Sequence, residues 1–398
     1  MFTNKERLEA KKVREIQQCL EQTPIDIEGL RRCSISNFGF VNNGLRRRVW
    51  PILLNIDTEH IINHNSKIID HKDTDQVLKD VERSMWRFTK GESQLRNQKK
   101  PELMRIVNAV LSIHPSLYYF QGYHEIASVL LLITDESLAF AMLERLSLNH
   151  FNDCMLPNFS EVLKVLNLLF PLISLMDQNV YNFLLKSNVQ PLFSISWILT
   201  WFSHNVEELD HAARLYDFFL SSHPLACLYF SAALIEHLKT PLLRLECAYD
   251  TVHGFFSSNL PQDLPLDKII QQTQYLLDKF PPTKLQMKTN QYLTKSSPMN
   301  MYPYSWMQSS IRAKGKGKKN NSDPTQQIYK WSFIILFGSI SIFSILVFLS
   351  VKYPNLNLSP IVKNMFSKST LFSWFSTFGN SNSNQLNNSF PSSLLFDK

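Results

Sequence analysis

Ten glycines in 398 residues leave little room for a fold built on tight turns. Sheets reverse every few residues, and glycine supplies the positive φ that many reversals need. Six of the ten lie in the first 283 residues. Most of the chain must therefore be built from elements that turn seldom, and the apolar pattern agrees. Leu103, Ile106, Val107, Val110 and Leu111 recur at helical spacing. Val77, Val81, Met85 and Phe88 form a second stripe, in a helix expected over 75–89, with Asp80, Arg83 and Arg87 on the opposite side. Residues 90–101 read as a polar loop. From residue 126 to 280 almost everything reads as helix. The runs 162–175 and 197–202 are apolar on more than one face, as helices inside a bundle are. With 44% hydrophobic residues there is ample material for a core, and the expected class is all-α.

The net charge of +7 is unevenly distributed. Residues 1–283 hold 28 Lys+Arg against 32 Asp+Glu, whereas residues 284–330 hold 9 against 1. The basic excess flanks the 21 uncharged residues 331–351, so it gives little support to a nucleic-acid partner. At about 1.5 Å per residue that run matches the hydrocarbon core of a bilayer. Trp331, Tyr329 and Tyr353 stand at its ends, where interfacial aromatics belong, and the cation-rich side marks residues 1–330 as cytosolic. The expected divisions are a helical extension (1–35), a large helical domain (36–283), a basic flexible linker (284–328), a transmembrane helix (329–352) and a polar luminal tail (353–398). Asn357 and Asn387 lie in N-x-S sequons in that tail. The first 22 residues are charged throughout, with no apolar run of a secretory signal. Five scattered cysteines without ligand-like spacing read as reduced thiols. His60 and His64 have no partner cysteine and no HExxH around them, so no metal site is expected.

Two stretches hold side chains that a buried-stripe reading leaves over. Residues 117–125, Leu-Tyr-Tyr-Phe-Gln-Gly-Tyr-His-Glu, follow His114-Pro115-Ser116, which ends the preceding helix. Gly122 permits a positive φ, so an aromatic-framed turn should present the neutral amide of Gln121. Upstream, Asp80 and Arg83 are i,i+3 neighbours, and the carboxylate can steady the guanidinium. Taken alone, such a pair is an ordinary solvated ion pair. Arg46-Arg47-Arg48 likewise reads as a solvated helix face, with Trp50 turned to the core.

Taken in order, Arg46-x-x-x-Trp50, Val77-x-x-Asp80-x-x-Arg83 and Tyr119-x-Gln121 resemble the three signature motifs of the TBC domain of Rab GTPase-activating proteins. Residues 197–202 and 214–220 resemble that domain's C-terminal half, and the likeness covers roughly residues 36–260. The Tyr-Tyr-Phe-Gln-Gly-Tyr-His form and the single C-terminal span resemble the endoplasmic-reticulum-anchored branch of the family. The resemblance implies a two-lobed all-α domain that acts in trans on a GTP-bound Rab of the early secretory pathway, at the reticulum or early Golgi membrane. Arg83 would neutralise charge on the phosphates and Gln121 would orient the attacking water. Asp80 would buttress Arg83, and Arg46, Trp50, Tyr119 and Gly122 would shape the groove. The chain would need no cofactor and no intrinsic active site, because the partner carries GTP and Mg²⁺; no P-loop, GxGxxG or GxSxG occurs here. Two rival classes remain at this level: a tether that binds a Rab without accelerating it, and a helical membrane protein that recruits partners.

Overall fold

The computed structural model describes residues 3–60, 71–258 and 260–302, and every regular element among them is a helix. The chain opens with α1 (Asn4–Glu21), α2 (Ile27–Ile35) and α3 (Asn43–Leu53). A helix start leaves backbone donors open, and each of these starts fills them with a side chain. The Glu6 N–H donates to Thr3 Oγ1 at 3.2 Å while the Thr3 N–H donates to Glu6 Oε2 at 2.6 Å. Asp26 and Asn42 accept from Gly29 and Leu45 at 2.8 and 3.0 Å.

The first half of the core is α4 (Thr74–Glu82), α5 (Ser93–Ile113), α6 (Tyr123–Ile133) and α7 (Glu136–Leu148), with α5 packed against the other three. Its stripe of Leu103, Ile106, Val107, Val110 and Leu111 is fully buried. At about 1.5–3 kcal/mol for each large aliphatic side chain, that stripe makes α5 the spine of this half.

The second half runs through α8 (Ser160–Leu166), α9 (Leu169–Met176), α10 (Gln178–Lys186), α11 (Ile195–Leu199), α12 (Leu209–Phe219) and α13 (Ala226–His237). It continues with α14 (Lys239–Leu242), α15 (Tyr249–Ser257), α16 (Leu266–Lys279) and α17 (Pro282–Thr289). Every residue of α13 from Ala226 to Ile235 is buried, against α9, α11 and α16. α12 joins the halves, touching α2, α6 and α16.

Four expectations need correction. The helix expected over 75–89 stops at Glu82, because Met85 takes a φ of 63° that no helix continues. The expected loop 90–101 is mostly helix: α5 begins at Ser93 and runs through Pro101. The apolar run 197–202 leaves the helix after Leu199, since Trp201 and Phe202 have positive φ. The packed domain also continues past residue 283 to Tyr302, with Leu285, Leu293 and Met299 buried. Among the described residues no helix is long and apolar enough to cross a membrane. The span expected at 329–352, its tail and most of the basic linker lie outside the described residues, as does His64.

Candidate functional site

Because α4 stops at Glu82, Arg83 occupies its C-cap, with φ −95° and ψ 7°. The negative end of the helix dipole favours a cation there. Asp80, one turn back, is wholly buried, yet three groups satisfy it. Its Oδ1 accepts from Arg83 Nη2 at 2.5 Å and from Gln76 Nε2 at 3.1 Å; its Oδ2 accepts from the Tyr119 hydroxyl at 2.8 Å. Tyr119 has one proton to give, and Asp80 receives it. The 2.7 Å contact between the Tyr119 oxygen and His124 Nδ1 is therefore a donation from the imidazole, which fixes the tautomer. Burial lowers the His124 pKa below its ordinary value and raises the Tyr119 pKa well above its own, so both stay neutral at pH 7. The chain His124 to Tyr119 to Asp80 thus holds the carboxylate in one rotamer. The carboxylate in turn steadies the root of Arg83, whose side chain remains 62% exposed.

Gln121 follows Tyr119 by two residues. Its turn is held by the Tyr118 N–H on the Met155 carbonyl at 2.8 Å and by the Tyr119 N–H on Asp73 Oδ2 at 3.2 Å. Phe120 points inward against Tyr123 and Phe151, at centroid distances of 5.5 and 6.1 Å. Gly122 then begins α6 at φ 103°. A Cβ there would meet Thr200 Cγ2 at 2.7 Å, so both conformation and space require glycine. The outcome is a Gln121 side chain that is exposed and makes no hydrogen bond among the described residues.

Beside the turn, Glu125 Oε1 lies 2.7 Å from His204 Nδ1. Burial pushes the Glu125 pKa up, but the hydrogen bond and charge of His204 pull it down further, leaving it below the ordinary value. Arg87 donates to the His204 carbonyl and so fastens the segment after Arg83 to the 200–206 turn. Trp86 is exposed, with the Arg96 guanidinium 3.6 Å from its ring centroid.

The expected site residues thus divide. Asp80, Arg83 and Tyr119 join in one hydrogen-bonded network, with Gln121 and Gly122 in the turn that follows Tyr119. Arg46 and Trp50 are buried: Arg46 Nε and Trp50 Nε1 both donate to Asp217 Oδ1, at 3.1 and 2.8 Å. They support the structure behind a wall and are not exposed on it. Sequence reading missed His124 and Gln76, the two further partners of the Asp80–Tyr119 pair. The signal was present, because Gln76 stands at i+4 spacing from Asp80 and His124 sits in the same turn as Tyr119.

What this surface can do chemically is present a cation and an amide, each rigid at its root, to a ligand that arrives from outside. Among the described residues no cluster of His, Cys, Asp and Glu is arranged to hold a metal. Comparison with known proteins gives the family. Residues 43–243 match the model of the Rab-GTPase-TBC domain. The chain is similar to human TBC1 domain family member 20, at 38% identity over 279 residues that make up 69% of each chain. It is also similar to the GTPase-activating protein gyp10 of Schizosaccharomyces pombe, at 28% identity over 82% of this chain and 84% of that one. The solved Ypt/Rab-GAP domain of Gyp1p shares the fold at a TM-score of 0.55 and 15% identity, over 68% of this chain and 98% of that one. With an ordered set of motifs, an all-helical fold and a relative matched over two thirds of its length, the chain belongs to the Rab-GTPase-TBC domain family.

Proposed function

We propose that this chain accelerates GTP hydrolysis by a Rab GTPase in trans, with Arg83 and Gln121 as the two groups it inserts. The observation that carries this is the asymmetry of the Asp80–Arg83 pair, in which the carboxylate is buried and hydrogen-bonded on both oxygens while the guanidinium itself is left open. A pure tether has no use for such a device. Arg83 would neutralise charge developing on the β–γ bridging and γ-phosphate oxygens; in GTPases an arginine supplied in trans is worth about 10³–10⁵ in rate. Gln121, uncharged and with its amide free, would orient the attacking water in place of the GTPase's own switch glutamine. GTP and Mg²⁺ arrive with the partner as substrate.

We further propose that the uncharged run 331–351 anchors the chain in the endoplasmic reticulum or early Golgi membrane with the helical domain cytosolic. Partners would then be Rabs of the reticulum-to-Golgi step. The run's hydrophobicity, its flanking aromatics and the cations at 312–319 support this reading. So does the likeness to family member 20, because the anchored branch resembles this chain in its glutamine turn.

The test is single-turnover hydrolysis across a panel of GTP-loaded Rabs. Stimulation is expected for one or a few of them, lost in Arg83→Lys, which keeps the charge but not the planar fork. It is expected to persist on a Rab whose switch glutamine is replaced by leucine. Stimulation that survives Arg83→Lys removes the arginine from the mechanism, and a leucine Rab that is not stimulated removes Gln121. Protease treatment of sealed microsomes should leave only a C-terminal fragment protected; protection of the helical domain would invert the topology.

A further inference from the structure

After α16 the chain does not leave the domain. It turns back across it as a strap of α17 and a single 3₁₀ turn, Pro298–Met301. The inward side of the strap is pinned at several points. Ser297 Oγ donates to Asp153 Oδ2 at 2.5 Å and Lys164 Nζ donates to Thr294 Oγ1 at 2.6 Å, while within the strap the Leu293 N–H donates to Gln286 Oε1 at 2.9 Å. Tyr302 closes it, its ring 5.2 Å from that of His223.

The outward side has a different chemistry. Lys284, Met287, Lys288, Tyr292, Lys295 and Met301 are all exposed, Met287 to 72%. On α17, Lys284 and Lys288 are one turn apart with Met287 between them. Residues 281–302 contain no acidic residue, whereas the domain before them is net negative. Large apolar side chains left in water on a rigid, hydrogen-bonded strap, interleaved with lysines, make up an interfacial surface. Lysine stems and methionines enter the acyl boundary while the ammonium groups stay with the headgroups.

We propose that the outward face of this strap lies on the anionic leaflet of the membrane that holds the chain, and fixes the attitude of the helical domain. The inference rests on the anchor read above from residues 331–351. Position along the chain and charge both favour a lipid surface as the occupant. Even fully extended, the residues between Tyr302 and Trp331 reach no more than about 100 Å, so the strap never leaves the neighbourhood of the bilayer. At such a high effective concentration a modest patch engages without a second protein.

The experiment uses the full chain reconstituted into phosphatidylcholine vesicles with and without phosphatidylserine. Flotation reports anchoring; mass-spectrometric oxidation of Met287 and Met301 by hydrogen peroxide reports docking, with partly buried Met104 of α5 as the internal reference. Phosphatidylserine is expected to slow oxidation of Met287 and Met301 severalfold without changing Met104. Lys284→Glu with Lys288→Glu and Lys295→Glu should abolish the protection while flotation persists. A chain that floats but shows equal oxidation in both vesicles overturns the docking surface and leaves the anchor standing. A chain that does not float overturns the anchor, and the surface with it. Protection that survives charge reversal overturns the electrostatic pairing on which the proposal depends.

Discussion

Two arginine–aspartate pairs in this molecule begin from the same condition, a carboxylate with no solvent exposure, and end at opposite ones. Arg46 on Asp217 is 5% exposed and Arg83 on Asp80 is 62% exposed. Asp217 gathers Arg46, Trp50 Nε1 and the Phe40 N–H at 3.0 Å, joining residues 171 positions apart. Asp80 gathers Gln76 and Tyr119 and directs its arginine outward. A closed pair can only stabilise the fold. A pair open at one end holds a cation in place without covering it, as a site for an incoming phosphate requires. Motif spacing treats the two arginines alike, whereas burial separates them.

The sharpest way to break the contrast is to remove each arginine and measure both properties. Arg83→Ala should lower Rab stimulation by about 10³–10⁵. Its unfolding midpoint in urea should fall only modestly, because the buried Asp80 loses a cation that solvent already screens and keeps its Gln76 and Tyr119 partners. Arg46→Ala should do the reverse. It leaves a buried carboxylate short of its cation, at a cost of about 3–5 kcal/mol in stability. Stimulation per folded molecule should remain close to wild type. If the two variants exchanged phenotypes, the division into closed and open pairs would be wrong.

Gly122→Ala sharpens the comparison at the glutamine. The strain of a φ of 103° in alanine costs about 1–3 kcal/mol, and the Thr200 contact adds to it. Stimulation should fall by more than stability does, because the turn that aims Gln121 shifts. Adding Thr200→Ser removes the clashing methyl but not the backbone strain, so only partial recovery is expected; full recovery would assign the effect to the contact alone.

The smallest effect is on pH. Burial holds His124 below its ordinary 6.5 and takes His150 to about 3 and His223 to about 4. Below 6.5 the unfolded chain binds protons that the folded chain refuses, so stability falls as pH drops from 6.5 towards those values. Urea midpoints that stay constant over this range would show that these imidazoles become charged in place.

Much of this was legible beforehand. The Asp80–Arg83 spacing, the glycine that turns Gln121 outward and the α5 stripe are local patterns, and local patterns survive in a one-dimensional record. Three things were not legible. A polar run ending in Pro101 reads as a loop, yet from Ser93 it is the first part of a helix anchored by its apolar second half. The turn at Met85 depends on a positive φ in a residue that seldom adopts one. The strap over 284–302 is basic and proline-flanked, like a linker, and the burial of Leu285, Leu293 and Met299 and the Ser297–Asp153 hydrogen bond show that it is packed. In each case tertiary contact overrode local composition.

The long reach of the Asp217 cluster also affects timing. Arg214 donates to the Ser34 and Ser36 carbonyls and to Asp267, and Asp267 in turn accepts from the Phe38 N–H. The helices synthesised first are therefore locked by residues that leave the ribosome some 180 to 230 positions later, and contacts of such separation form slowly. A nascent chain halted at the end of the matched family region, residue 243, has its Arg46–Asp217 pair but no Asp267. The end of α2 then has Arg214 on the Ser34 and Ser36 carbonyls, but neither Arg214 nor the Phe38 N–H gains its Asp267 partner until α16 emerges.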